Sequence, residues 1–539
     1  MTHVVQSSST AYPAKITPYV FFTCLLAASG GGLMYGYDLV VAGGVSIMQD
    51  FLLKFYPTVY RNEQSVKHDN YCKYNDQVFQ LFTSSLYIAA LLASFLAGSV
   101  THKRGHRSTM LMAGILFSTG TILGSAAENL TMLLLGRIFL GVGLGFANQA
   151  VPLYLSEVAP PSYRGGLNML FSINIALGIF GGNLINYLAS HIHPWGWRLS
   201  LAMTGLPSFA ITLAGLILVD TPTFLIRQNK HEQAKRVLQK LRGHPDIAAE
   251  YADLVKATEI AEHLRAKSSI RNLFHLRNAP QLTMAIALPF FQQFSGNDAI
   301  LFYGPFLFKA AGLGVKASLY SAVVTGSVAV VGTVVSVLIV DKAGRRTILL
   351  GASVVMFGCM VAVGIIFGVE IKGTVSKLSS AGSGLELAMI CLFVFMYKGS
   401  WGPLAWVIPS EIFPLDIRSA AQSVVVFTNM LFKFIIAQTF LSMLCTFKFG
   451  IFFFFAGWLF VMGVFTLLFL PETKGIPLDD MVDRVWRRHW FWKSFITLPE
   501  GVDSKLSSLE INANSKLSSV EINTNSQFLS AVPKQANNV

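Results

Sequence analysis

Charge is what this sequence has least of. Asp, Glu, Lys and Arg supply 13% of its 539 residues, against 53% hydrophobic. A soluble chain of this length carries about 25% charged residues to cover its surface, so a polytopic membrane protein is the expectation. Acidic residues are the scarcer sign, 28 against 41 basic, for a formal net charge of +13. That surplus builds no basic face or tail for nucleic acid. The basic residues stand in short clusters between apolar runs, as the positive-inside rule expects. Cysteine is scarce too, and five are too few for a disulfide scaffold. Lys15, alone before a long apolar run, does not make a cleaved signal peptide, so the first hydrophobic segment is expected to be retained. No nucleotide-binding loop, metal cluster or nucleophile constellation points to an enzyme or a bound cofactor.

What is present is hydrophobic length. A hydrocarbon core about 30 Å thick takes roughly 20 apolar residues of helix. Six such runs precede a polar stretch at 220–279, at about 18–43, 79–100, 109–127, 131–155, 169–190 and 199–219. Six follow it, at about 281–303, 319–340, 348–370, 385–408, 421–445 and 449–470. Lys103, Arg104 and Arg107 fall between spans two and three, and Lys342, Arg345 and Arg346 between spans eight and nine. The 220–279 stretch adds Arg227, Lys235, Arg236, Lys240 and Arg242 among others. These loops are expected on the cytoplasmic side, with both termini.

The expected class is an all-α membrane protein of twelve transmembrane helices in two pseudo-symmetric six-helix bundles. A cytoplasmic N-terminus (1–17) leads into the first bundle (18–219), which carries a long extracellular lid loop at 44–78. A cytoplasmic helical linker (220–279) joins it to the second bundle (280–470). A cytoplasmic tail (471–539) follows, disordered from about 500, where a Ser- and Asn-rich segment occurs twice, at 504–514 and 515–525.

The halves share motifs. Ser156-Glu157-x-x-Pro160-x-x-x-Arg164 ends span four, and Ser410-Glu411-x-x-Pro414-x-x-x-Arg418 ends span ten at the same spacing. His102-Lys103-Arg104-Gly105-His106-Arg107 likewise matches Asp341-Lys342-Ala343-Gly344-Arg345-Arg346. Two repeats with matching cytoplasmic motifs suit a transporter whose halves rock around a midplane site, an arrangement a channel does not need.

In order along the chain stand Gly36-Tyr37-Asp38, Gly136-Arg137, Pro152-x-Tyr154-x-Ser156-Glu157, Gly196-Trp197-Arg198, Gln292-Gln293-Phe294-Ser295-Gly296 and Pro471-Glu472-Thr473-Lys474-Gly475. With the repeats above, this set resembles the sugar porter family of the major facilitator superfamily over roughly 15–495. Tyr71-Cys72-Lys73-Tyr74, Ser400-Trp401-Gly402-Pro403-Leu404 and Leu444-Cys445 bring it nearest to the plant sugar transport proteins, which are hexose–proton symporters. The resemblance implies the major facilitator fold, alternating access and a monosaccharide and a proton as partners. It also implies a plasma-membrane protein that works as a monomer in the lipid bilayer with no cofactor beyond the coupling proton. A facilitative carrier, of a related or charged metabolite, and a non-transporting sugar sensor are the alternatives.

Asp38 on span one and Arg137 on span four each sit about 8–9 Å inside the outer boundary by the helical rise. A charge in a membrane span costs at least about 2.5–3.5 kcal/mol, so pairing is the cheapest account of both. A carboxylate whose proton affinity switches with its partner and solvent is what proton coupling needs, and the plant resemblance implies this same pair. A static ion pair is the alternative. Cys72 and Cys445 fall on the extracellular side, where a disulfide is stable, and the resemblance implies a bridge from lid to second half. Two free thiols remain the other reading.

Sugars are bound by amides and by an aromatic face. Gln292 and Gln293 sit near mid-depth in span seven, and Trp406 and Asn429 match the family's sugar contacts. The sequence departs from the subgroup at Ser172 (for glutamine), Asp298 (for asparagine), Ala329 (for asparagine) and Lys433 (for threonine). By depth Lys433 lies near the midplane and Asp298 roughly 8 Å further out, so they are expected either to pair or to offer a charged substrate two handles. Glu157, Arg164, Arg345, Glu411 and Arg418 are expected to form the charge pairs of a cytoplasmic gate, with ordinary positive-inside charge as the alternative. His102 stands where the superfamily has an acid. Asn129-Leu130-Thr131 fits a glycosylation pattern but lies too near the membrane to serve.

Overall fold

A computed structural model of the chain describes residues 17–64, 71–160, 163–267, 273–310, 312–340, 343–370, 378–414, 417–474 and 481–496. The repeat at 504–525 lies outside them, as does the expectation of disorder from about 500. Ten of the described helices are long and apolar enough to cross a membrane. They become twelve crossings because one of them is double and one further crossing is made by a broken helix.

The double one is Gln77–Ser125, 49 residues long, where about 20 suffice for one crossing. It turns at Gly105, whose φ of +86° only glycine adopts without strain. A Cβ there would also strike Asp220 and Phe224. The broken one is span seven, Ala279–Phe294 and Asn297–Ala310, split at Gly296 with φ +86° against the Phe455 ring. Neither piece alone reaches crossing length.

The other crossings of the first half are Pro18–Ser46, Leu130–Val158, Arg164–Ala189 and Gly196–Ile217. Those of the second are Val315–Ile339, Arg345–Glu370, Ser380–Gly399 continued by Trp401–Ile412, Arg418–Phe447 and Gly450–Phe469. The loop between spans one and two holds two short helices, Gln49–Phe55 and Pro57–Gln64, and marks what is here termed the lid end. The opposite, linker end carries Pro222–Arg227, His231–Arg242 and Ala248–Lys267. Beneath span twelve, the Trp490 and Trp492 indoles donate to the carbonyls of Leu468 and Phe469.

Among the described residues, the hydrogen bonds that join the two halves gather toward the lid end. Gln77 and Gln80 reach Ser442, Ser84 donates to Gln438, and the Asn183 amide donates to the Ala322 carbonyl. Gly43 of span one meets the Phe302 carbonyl so closely that a Cβ has no room. Among the described residues, the ion pairs at the linker end stay within one half or involve the linker.

Candidate functional site

Breaking span seven is what builds the central site. The half-turn at Ser295 and Gly296 separates Gln292 and Gln293 from Asp298 and re-aims the second piece of the helix. The Gln292 amide donates to the carbonyls of Gly402 (3.0 Å) and Trp401 (3.3 Å), where span ten is itself interrupted. Asn429 of span eleven donates to Gln292 Oε1 at 2.7 Å. Gln293, 1% exposed, has neither amide atom partnered among the described residues, and Asn429 Oδ1 is also without a partner among them. A buried amide left unpaired is costly, and polar groups of a ligand could satisfy these atoms. Trp406 is half-buried on span ten, and Ser172 is half-buried on span five. Neither side chain forms a hydrogen bond among the described residues. Ala329 is fully buried on span eight.

Asp298 and Lys433 meet. Lys433 Nζ lies 2.8 Å from Asp298 Oδ2, and both side chains are buried. The separation of roughly 8 Å counted along continuous helices is removed by the break at Gly296, which shifts everything after it. Asp298 Oδ1 accepts from Asn297 Nδ2 at 3.0 Å, so both carboxylate oxygens are engaged. Lys433 also donates to the Tyr35 hydroxyl of span one, across the divide between the halves.

A second buried pair lies nearer the lid. Asp38 Oδ1 accepts from Arg137 Nη1 at 2.7 Å, with the residues 1% and 2% exposed. Arg137 Nε donates to the Phe82 carbonyl and its guanidinium lies 5.2 Å from the Phe82 ring centroid. Asp38 Oδ2 and Arg137 Nη2 have no hydrogen-bond partner among the described residues. The pair is therefore closed on one side only.

The lid rests on that pair. Phe51 packs against Phe82, Phe55, Tyr56 and Trp197, so one ring separates the lid helix from the residue that holds Arg137. A disulfide joins Cys72 to Cys445, with Cα atoms 4.4 Å apart across 373 residues of sequence. Lys309 of span seven meets Glu63 at 2.5 Å. Glu128 braces the lid helix from outside, accepting from Lys54 (2.6 Å) and Arg198 (2.5 Å). Those two cations hold its carboxyl down at about 2.

At the linker end Arg345 meets Glu411 at 2.9 Å, and Thr473 donates to the other Glu411 oxygen. Glu472 accepts from the backbone N–H groups of Arg345 and Arg346. Glu157 lies 3.8 Å from His106. These contacts stay within their own halves. The side chains of Arg164 and Arg418, expected in the same gate, lie outside the described residues.

Tyr35, Lys398 and Glu63 were not singled out by sequence reasoning. Tyr35 offered no signal among many tyrosines. Lys398 did: with Glu386 it is one of two charged residues in the run 385–408 of span ten.

A family model described as "Sugar (and other) transporter" matches residues 23–486. Sugar transport protein MST4 of Oryza sativa subsp. japonica is 51% identical over 492 residues, 91% of this chain and 95% of the relative. Sugar transport protein 13 of Arabidopsis thaliana is 52% identical over 488 residues, 90% and 92% of the two chains. Among solved structures, the MFS (major facilitator superfamily) proton:xylose symporter XylE bound to 6-bromo-6-deoxy-D-glucose matches with a TM-score of 0.69. It shares 23% identity over 86% of this chain and 98% of that one. The partially occluded inward open xylose transporter XylE from E. coli matches with a TM-score of 0.67 at 22% identity, over 85% and 100%. At those identities the likeness establishes the fold.

Proposed function

This chain belongs to the sugar transporter family, and on that footing we propose that it imports monosaccharides together with protons across a plasma membrane. The family is one of transporters rather than enzymes, and the fold is the major facilitator fold. Both half-bundles, 18–219 and 280–470, rock about the central cleft. The lid end faces outward, and the linker and both termini face the cytoplasm. The conformer described here is thus the one closed to the outside.

The observation that carries proton coupling is the Asp38–Arg137 pair, buried beneath the lid with one carboxylate oxygen unpartnered. Protonation of Asp38 releases Arg137, and the change in charge at the lid-side end of the cleft biases which way the halves close. Gln292, Gln293, Trp406 and Asn429 supply the amides and the aromatic face for a sugar ring, with Ser172, Asp298 and Lys433 around them. Glu157, Arg164, Arg345, Glu411 and Arg418 form the cytoplasmic gate. The chain works as a monomer, its substrates a monosaccharide and a proton.

The test is uptake of a panel of labelled monosaccharides by cells expressing the full chain, with and without a proton gradient. Accumulation that collapses when the gradient is abolished supports the reading. Uptake indifferent to the gradient makes it a facilitative carrier, and binding without accumulation makes it a sensor.

A further inference from the structure

The two halves close their cytoplasmic turns with different chemistry. In the repeat that relates them, His106 stands where the second half has Arg345, and Glu157 where it has Glu411. In the second half the guanidinium reaches its carboxylate at 2.9 Å and also donates to the Val340 carbonyl. In the first, His106 Nε2 lies 3.8 Å from Glu157 Oε1, beyond hydrogen-bonding distance. His106 is 2% exposed, and neither of its ring nitrogens, nor Glu157 Oε2, has a hydrogen-bond partner among the described residues. An arginine is charged at every physiological pH, whereas an imidazole gains its charge near neutrality. One gate cation is therefore permanent and the other conditional.

The surroundings of His106 suit a charge that comes and goes. It follows the turn at Gly105, and Asp220, beyond span six, accepts from the backbone N–H of Arg107 at 3.1 Å. The Tyr154 ring of span four lies 6.1 Å from the imidazole. One helical turn earlier, Arg227 of the linker donates to the His102 carbonyl at 3.0 Å, and His102 itself meets Glu262 at 3.1 Å. The charged groups about His106 are thus two carboxylates, Glu157 and Asp220, and one guanidinium, Arg227. Lys103, Arg104 and Arg107 of the same turn are exposed to solvent. In the conformer described, closed to the outside, the second half's pair is made and the first half's is slack. We propose that His106 is the gate cation of the first half, charged only when the cytosol turns acid, so that falling cytosolic pH pairs it with Glu157 and drives the transporter toward the state closed to the cytoplasm. Acidification favours whichever state binds the proton more tightly, and that is the one in which the imidazolium touches Glu157. Symport delivers protons to this side, so the gate closes as its own product accumulates and holds back further release. The inference rests on the gate and orientation proposed above and deepens them.

The experiment uses cells expressing the full chain with Ala322→Cys, at the contact with Asn183 across the closed lid end, labelled from outside by an impermeant maleimide. External pH is fixed and sugar is absent, while propionate lowers cytosolic pH through the range in which imidazole titrates. Because the external pH sets the reactivity of the thiol, the labelling rate reads opening of the lid end alone. In this parent the rate should rise about fivefold or more on acidification. Adding His106→Arg, the residue of the second half, should give fast labelling in both conditions, and His106→Gln slow labelling in both. Should His106→Gln fail to reach the surface, Glu157→Gln removes the acid instead and is expected to give the same flat, slow profile. A parent rate indifferent to cytosolic pH overturns the proposal. So does an unchanged response in His106→Arg, or a response that only His102→Gln abolishes. The readout needs no sugar, so any of these results leaves the importer reading to its own uptake test.

Discussion

Lys433 stands between the two halves of the molecule: it is ion-paired at 2.8 Å to Asp298 of its own half and donates to the Tyr35 hydroxyl of the other. A single ammonium thus does two jobs. It neutralises a carboxylate that the membrane would not otherwise tolerate, and it ties span eleven to span one when the lid end is closed.

Removing either partner of a buried pair strands the other, at about 3–5 kcal/mol. Asp298→Asn leaves the buried Lys433 ammonium with only the Tyr35 hydroxyl. Lys433→Thr leaves the buried Asp298 carboxylate with only the Asn297 amide. Each single variant should therefore lower the yield of folded protein, and the double variant should recover much of the loss. Yield and thermal midpoint of the detergent-purified chain measure all three. Independent, additive losses would remove the pairing argument.

Tyr35→Phe deletes only the bond across the halves. A hydrogen bond to a charged group contributes about 1.5–3 kcal/mol, so its loss should shift the balance toward the lid-open state by roughly tenfold or more. A cysteine placed at Ala322, whose carbonyl accepts from Asn183 in the closed lid end, reports this through its rate of labelling by an impermeant maleimide. Equal rates with and without the Tyr35 hydroxyl would show that the bond holds nothing closed.

How much of this was legible in the sequence depends on whether helices run straight. Span positions were readable because each crossing needs its own apolar length, and Gly105 could be placed in a loop by its basic neighbours. The meeting of Asp298 with Lys433 was not readable by depth, since counting at a constant rise ignores the turn that Gly296 makes against Phe455. Asp38 and Arg137 lie on unbroken helices, and there the count placed both at one depth. The lid helices were hidden for another reason. At 7 and 8 residues they are too short for periodicity to show, and they are held by tertiary packing of Phe51 on Phe82 and Trp197.

The lid is fixed by two devices of unequal strength. The Cys72–Cys445 bridge ties it covalently to the second half, whereas Glu128 braces it through exposed ion pairs that salt screens. Because the Glu128 carboxyl is held below its ordinary value, the brace is present in full above about pH 4.5 and is lost as pH falls toward 2. Protection of the 49–64 helices against hydrogen exchange, taken relative to the intrinsic rate at each pH, should accordingly change little between pH 5 and 7. Reduction, or Cys72→Ala, should lower it severalfold and increase the apparent substrate constant. Exchange unaltered by reduction would mean that packing alone seats the lid.

Asp38 carries the sharpest prediction about mechanism. If its free oxygen takes the coupling proton, Asp38→Asn fixes position 38 in a state that resembles the protonated carboxyl: neutral, and unable to hold Arg137 by charge. Substrate then still enters the cleft, because Gln292, Gln293 and Asn429 lie on other helices and are bonded independently of Asp38. Uphill accumulation should fall to the equilibrium level while exchange of labelled for unlabelled substrate continues, and its rate should lose its dependence on external pH. A static structural pair predicts the opposite pattern, in which folding yield drops and whatever protein reaches the membrane still concentrates substrate. Measuring accumulation ratio and counterflow on the same cells separates the two, since a defect in folding scales both alike and a defect in coupling abolishes only the first.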